Sequence, residues 1–318
     1  MADLASPLPQ KTGTKPQYRK RRITSKTLSL YVLFAPLAIL LFLFSYMPIY
    51  GIIIAFKDYS PFVGIFGSKW VGFRYFAAFL TDEKFWSVVR NTLVISFLDI
   101  GFGFPAPIIF ALLANEITNN RFKRPMQTIS YLPHFLSWVV VYAVFYQLLS
   151  PVYGVINKFL VAAFGMEPIN FVGLREWFRP MVVSLEIWKG VGWGAILYFA
   201  TIAGLDTELY DAAYIDGASR LRQVFAVTLP GMAPMIVLML IFRIANFISV
   251  GFERIFVFAN PVTYEVADVI AVWVYRRGLV DSQYSLTTAI GLTQSVIGFT
   301  LLFTANKVAS KVAGLGLW

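Results

Sequence analysis

Four ionisable side chains lie inside apolar stretches long enough to cross a bilayer: Asp99, Glu186, Lys189 and Arg243. A charge at mid-membrane depth costs about 2.5–3.5 kcal/mol on insertion scales, so such residues suggest a functional site by default. Glu186, Lys189 and Trp193 follow i, i+3, i+7 spacing and share one face of a helix. Gly190 lies on the same face and lets a ligand approach the backbone. Arg243, Asn246, Phe247 and Val250 repeat that spacing on the next apolar stretch. Two uses of these charges stay open. They can meet a charged cargo, or Glu186 and Lys189 can pair internally while Arg243 bonds backbone or a partner subunit. Asp99 near Gly101 and Gly103 suits an ion or an inter-helix hydrogen bond. His134 beside Pro133 suits a gate or plain packing. Tyr142, Tyr146, Gln147 and Gln294 suit a cavity lining or helix contacts. None of this is catalytic chemistry. With one histidine and no cysteine, multi-histidine metal sites, thiolate zinc and iron–sulfur clusters are excluded. No Gly-x-x-x-x-Gly-Lys-Ser/Thr phosphate loop occurs, so the chain binds no nucleotide cofactor itself.

The elements that must hold these residues are membrane helices. The chain has 318 residues, of which 58% are apolar and 14% charged, and its mean hydropathy is +0.67. Soluble domains run at about 45–50% apolar and 25% charged. A single soluble core stops growing near ~250–300 residues. The composition therefore excludes a soluble enzyme, a disordered chain and a disulfide scaffold. A span needs about 20 apolar residues, and six stretches supply them, at about 30–56, 92–114, 129–149, 181–203, 233–252 and 288–305. This is an all-α integral membrane protein, with a polar basic tail over 1–27 and one six-helix domain over 28–318. The net charge of +10 marks the cytoplasmic side of a bilayer and not a nucleic-acid partner. Fourteen of the Lys and Arg residues fall on the tail's side and eleven, Arg254 among them, in the opposite loops. Both termini are thus expected in the cytoplasm of a multi-pass protein of the cell (inner) membrane. The opposite loops carry amphipathic stretches at Trp70–Phe79 and Asn157–Phe164, which suit interfacial helices.

One cytoplasmic loop, over 204–232, stands out. Asp206 or Thr207 can cap a short helix whose first turn is acidic. Ala212, Ala213 and Gly217 offer a smooth surface on which another protein could pack. Gly217 can end the helix and turn the chain. Phe225 anchors a second helix, and Pro230 starts the return to the membrane. A short helix fixed at both ends can transmit a push from a soluble partner.

Asp211-Ala212-Ala213, then Gly217, then Val227-Thr228-Leu229-Pro230 resembles the EAA loop of binding-protein-dependent ABC importer permeases. The family usually has Glu where Asp211 stands. Asn91-Thr92, Ala111-Leu-Leu-Ala-Asn115, Leu132-Pro133 and Gly154-Val-Ile-Asn157 resemble its sugar (maltose-type) group. Met47–Ser60 and the ending Gly314-Leu-Gly-Leu-Trp318 resemble its oligosaccharide-importing branch. The resemblance implies a type I ABC importer permease (MetI-like) fold, whose loop docks in a cleft of an ATPase through Asp211, Ala212, Ala213, Asp216, Gly217, Phe225, Leu229 and Pro230. It implies a heterodimer with a second, similar permease subunit, two cytoplasmic ATPase subunits that use ATP and Mg, and an extracytoplasmic solute-binding protein. It also implies that Glu186, Lys189, Gly190, Trp193, Arg243, Asn246, Phe247 and Val250 line the sugar path. Aromatic rings would stack on sugar faces, and Lys189 and Arg243 suit carboxylate-bearing cargo such as alginate fragments. Arg276 and Arg277 could meet the binding protein's acidic rim. The expected mechanism is alternating access. The rivals are an ion-coupled secondary transporter using Asp99 and Glu186, and a membrane-embedded transferase.

Overall fold

The computed structural model describes residues 25–314 and 316–317, so the basic arm up to residue 24 lies outside the described residues. The chain divides into two units, 1–51 and 52–318. In the first, α1 (Ser25–Leu41) runs on through a π turn, Phe42–Tyr46, into a 3-10 run that starts at Met47. The run Leu28–Phe56 has none of its most apolar window buried. An uncovered apolar helix of that length is at home in hydrocarbon.

The second unit is built on long helices. The second apolar stretch is α2 (Glu83–Leu98), a π turn at Asp99–Gly103, and α3 (Pro105–Asn115). Together they form one run of 33 residues. Pro105 opens α3, where its missing N–H costs little. The third stretch, expected as one helix over 129–149, is broken. The amphipathic α4 (Asn120–Tyr131) and α5 (Trp138–Leu148) meet at 105°. Pro133 sits in the turn between them, and the Ser137 hydroxyl caps α5 by accepting from the Val140 N–H at 3.3 Å. The fourth stretch is α6 (Arg175–Ala203), 29 residues long, or about 43 Å at 1.5 Å per residue. The coupling-loop region holds α7 (Thr207–Ile215), and the fifth stretch is α8 (Leu229–Ala245). Here too the expectation over 233–252 needs correcting. α8 stops at Ala245, residues 246–251 are irregular, and the chain re-forms as α9 (Phe252–Phe258). The sixth stretch is α10 (Tyr284–Ala313). Four described helical runs are long and apolar enough to span, or five with the bent pair. α6 is long enough but falls short in apolar character, its average being lowered by Glu186 and Lys189. A two-residue ribbon, Lys57–Asp58 against Lys69–Trp70, is the one sheet among the described residues.

The buried core falls into three clusters, two of which form tiers along the bundle. At one end Ile95 of α2, Phe178, Val182 and Leu185 of α6, and Ile255 and Phe258 of α9 pack with Val269 and Val272. At the other, Ile108 and Ala111 of α3 pack with Ala195, Tyr198 and Ile202 of α6 and Met232 of α8. The loop carrying α7 is at this second end; we call the first the outer end. Two staples close the outer end. Asn91 donates to the carbonyls of Glu265 (2.9 Å) and Asp268 (3.1 Å), and Asn157 donates to those of Leu149, Ser150 and Ile169. The Asn91-Thr92 and Gly154–Asn157 motifs are therefore fasteners for the outer loops.

α6 passes α4 closely at Gly192, where an added Cβ would run into the Ser130 carbonyl. Gly192→Ala is expected to destabilise by about 1–3 kcal/mol through overpacking. Gly190→Ala, with nothing within 4 Å of its Cβ position, should leave the thermal midpoint unchanged. Equal midpoints for the two variants would refute this contact.

Candidate functional site

Between the two tiers, half-way through the bundle, the charged side chains meet. Asp99 lies sixteen residues from either end of the Glu83–Asn115 run, at the start of the π turn. Such turns are frequent at functional sites. Asp99 accepts two hydrogen bonds from Arg254 of α9, Nη1 to Oδ1 at 3.1 Å and Nη2 to Oδ2 at 2.5 Å. Both side chains are almost fully buried, 7% exposed for Asp99 and 2% for Arg254. Arg254 Nη1 also lies 3.5 Å from Glu186 Oε2, and Arg243 Nη2 lies 3.7 Å from Asp99 Oδ2. Two carboxylates and two guanidinium groups thus balance to zero net charge.

Arg254 was counted above with the outer loops; instead its side chain is among the most buried in the protein. The break after Ala245 is the reason. It turns the chain back so that α9 packs into the bundle and not outside it. Irregular backbone at membrane depth is tolerated only inside protein or along a cavity. The Ser96 hydroxyl donates to the Phe247 carbonyl in this break, and the Gln294 amide reaches the Ile248 carbonyl at 3.5 Å. The signal available in the sequence was an arginine inside an apolar run, Val250–Phe258, close behind a span.

A cavity of about 700 Å³ opens beside this cluster, between α3, α6 and α8. Glu186, Gly190 and Trp193 of α6 and Arg243 and Asn246 of α8 line it, with Gly103, Phe104 and Pro107 opposite. A smaller cavity of about 200 Å³ adjoins it through Glu186 and Arg243, and holds Phe247, Val250 and Arg254. Arg243 is 38% exposed on its side chain and donates no hydrogen bond among the described residues. Its guanidinium lies over Gly103, whose Cβ position is 3.9 Å from Nη2.

The predicted path residues thus divide. Glu186, Gly190, Trp193, Arg243 and Asn246 share the larger cavity. Phe247 and Val250 leave the α8 face because the helix has ended. Phe247 stacks edge-on against Phe97 at 4.9 Å, and Val250 is buried. Lys189 lines neither cavity. It donates to the His134 carbonyl at 2.7 Å and sits 5.5 Å from the Trp138 ring centroid. It therefore satisfies backbone freed at the break between α4 and α5. His134 stacks flat on Trp193, ring centroids 4.4 Å apart. The internal Glu186–Lys189 pair does not form; Glu186 meets Arg254.

The loop at the inner end is closed by its own bonds. Asp206 caps α7 by accepting from the Glu208 N–H at 2.9 Å. Gly217 ends it at φ +74°, with the Ala218 N–H on the Ala213 carbonyl at 2.9 Å, a Schellman-type stop. The Tyr210 hydroxyl and Thr228 Oγ1 meet at 2.9 Å, tying α7 to the return segment. Asp211, Ala212, Asp216 and Pro230 are exposed, Ala213 and Leu229 partly so. The large apolar side chains left uncovered are Leu209 (54% exposed), Tyr214 (76%), Ile215 (83%), Leu221 (68%) and Phe225 (62%). Of these, sequence reasoning had singled out Phe225 alone.

Residues 103–312 match the family model described as binding-protein-dependent transport system inner membrane component. The chain belongs to that family. This permease is 43% identical to Protein LplB of Bacillus subtilis (strain 168) over 289 residues, covering 91% of each chain. It is 41% identical to the polygalacturonan/rhamnogalacturonan transport system permease protein YteP of the same organism, covering 94% of each. A chain in the crystal structure of a bacterial alginate ABC transporter, in complex with alginate pentasaccharide-bound periplasmic protein, superposes with a TM-score of 0.84 at 36% identity. The match covers 92% of this permease and 97% of that chain. The permease is accordingly an integral membrane subunit of an ABC importer for oligosaccharides, and ATP is hydrolysed by a separate subunit.

Proposed function

We propose that this permease passes carboxylate-bearing oligosaccharides across the cell membrane by alternating access. It would work as a heterodimer with a second, similar permease, two cytoplasmic ATPases and an extracytoplasmic binding protein. The α7 loop and both termini face the cytoplasm. The observation that carries the reading is Arg243. Its guanidinium reaches the wall of the mid-membrane cavity and donates no hydrogen bond among the described residues, standing 3.7 Å from an Asp99 carboxylate whose hydrogen bonds go to Arg254. A guanidinium fork with hydrogen-bond donors to spare matches a carboxylate. Trp193, held flat by His134, offers a ring face for a sugar. The cargoes named for YteP and for the alginate transporter, polygalacturonan and alginate, are uronate polymers, which supports the same cargo class. In the proposed cycle the ATPases close on ATP and pull the α7 loops together. The helices then open outward, the binding protein releases cargo into the cavity, and hydrolysis resets the bundle.

The test is uptake into proteoliposomes carrying the whole importer. Charge-assisted hydrogen bonds are worth about 1.5–3 kcal/mol, so Arg243→Gln should lower kcat/KM for trigalacturonate about 10-fold or more. Wild-type import of maltotriose at the same efficiency as trigalacturonate, or no effect of Arg243→Gln on trigalacturonate uptake, would overturn the acidic-cargo reading.

A further inference from the structure

A third cavity, of about 600 Å³, lies at the outer end of the bundle. Lys84 from the first turn of α2 and the segment from Tyr264 to Asp281 line it. We propose that this cavity is a binding station for a uronate residue of the incoming chain, occupied before the cargo reaches the central cavity. The proposal rests on the acidic-cargo reading above and adds a site to it.

The walls have the chemistry for such a ligand. Arg276 lies over the Tyr264 ring at 5.0 Å and Arg277 over the Trp273 ring at 5.7 Å. Aromatic rings and guanidinium groups therefore alternate along the lining. Each cation is held in place but not used up. Arg276 is paired to Asp268, Lys84 lies 3.9 Å from the same carboxylate, and Arg277 is 3.5 Å from Asp281. Three cations against two carboxylates leave one positive charge. The three cationic side chains remain 49%, 31% and 38% exposed for Lys84, Arg276 and Arg277. Asp268 is the fixed point, 2% exposed, with one carboxylate oxygen lacking a hydrogen-bond partner. Burial pushes its carboxyl pKa up, against the pull of Arg276 and Lys84. Any proton it takes up enlarges the cationic excess. The volume falls in the range of small-ligand pockets, about 300–1,000 Å³.

The two stations share a wall. In α9, Arg254 points to Asp99 and the central cluster. Two residues on, Phe256 lines the outer cavity and packs on Tyr275 at 5.2 Å. A chain held at the outer station therefore lies across one short helix from the central one.

The experiment is direct binding of trigalacturonate to the whole importer in phosphatidylcholine nanodiscs without the binding protein, by titration calorimetry at low salt. Two sites are expected. Lys84→Gln with Arg277→Gln should weaken one of them at least 10-fold and leave the other. Arg243→Gln should do the reverse. Arg277→Lys, which keeps the charge, should retain part of the outer affinity. A single site that responds to Arg243→Gln alone overturns the outer station while leaving the function reading intact. No trigalacturonate binding at any site would instead remove the function reading itself. Loss of the outer site on adding phosphatidylglycerol would assign the cavity to lipid headgroups and overturn the proposal. So would a reduced ATPase response of the Lys84→Gln/Arg277→Gln importer to cargo-free binding protein, which would make the cavity a docking surface.

Discussion

Arg254→Met is expected to be the most destabilising single change in the bundle. It would leave the Asp99 carboxylate, 7% exposed at the centre of a membrane helix, without its two hydrogen bonds. Removing one partner of a buried ion pair costs about 3–5 kcal/mol, because the remaining charge stays uncompensated. Arg243, 3.7 Å from the same carboxylate, could offset part of that. Doing so would draw it towards Asp99 and away from the cavity. The variant should therefore combine a lower thermal midpoint with weaker import. Arg254→Met with Asp99→Asn should recover much of the midpoint, since the buried carboxylate is then neutral and the two charges left behind, Glu186 and Arg243, are opposite in sign and 36% and 38% exposed. Thermal unfolding of the permease in nanodiscs decides this. A single variant as stable as the wild type, or a double variant no better than the single, would show that Asp99 does not depend on Arg254.

The second large effect is expected on α7. Tyr214→Asp with Ile215→Asp places two carboxylates where the most exposed apolar side chains of the loop stand. Anchor residues of this kind contribute about 2–4 kcal/mol each when a partner covers them. The ATPase should then co-purify at least 30-fold less well at a given concentration. The bundle itself should keep its midpoint, because neither side chain packs inside it. Gly217→Val probes the same helix differently. Its Cβ would meet nothing within 4 Å, so the cost lies in the left-handed backbone alone, about 1–2 kcal/mol. Gly217→Asn should cost less, since Asn tolerates that region. Unchanged co-purification of the Tyr214→Asp/Ile215→Asp permease would remove α7 as the docking element.

What could be read in advance follows from the strength of each local signal. The α7 loop was legible because its turn chemistry is explicit: Asp206 caps, Gly217 stops, and the pattern to Pro230 repeats a known loop. The spans were legible because long apolar runs have few alternatives. Their interruptions were not. Residues 246–251 still carry Phe247, Ile248 and Val250, so hydropathy carried the fifth span past its true end. Arg254 was consequently placed outside. Pro133 pointed to trouble in the third span, but a proline alone does not separate a kink from a 105° turn. Glu186 and Lys189 were correctly put on neighbouring positions of one helix. Their separate partners, Arg254 and the His134 carbonyl, depend on those two breaks and could not be read from spacing along α6. The aromatic–arginine lining of the outer cavity draws on α2, α9 and the segment before α10. No single stretch of sequence displays it.

In the proposed cycle the permease is a motorless conduit, driven through α7 by a separate ATPase. Its most direct test is uptake of labelled trigalacturonate into proteoliposomes holding the complete importer. Uptake should require internal ATP and the binding protein, resist ionophores, and vanish when Tyr214→Asp and Ile215→Asp are introduced together. Uptake that follows an ion gradient without ATP, or that persists at the wild-type rate in that double variant, would contradict it.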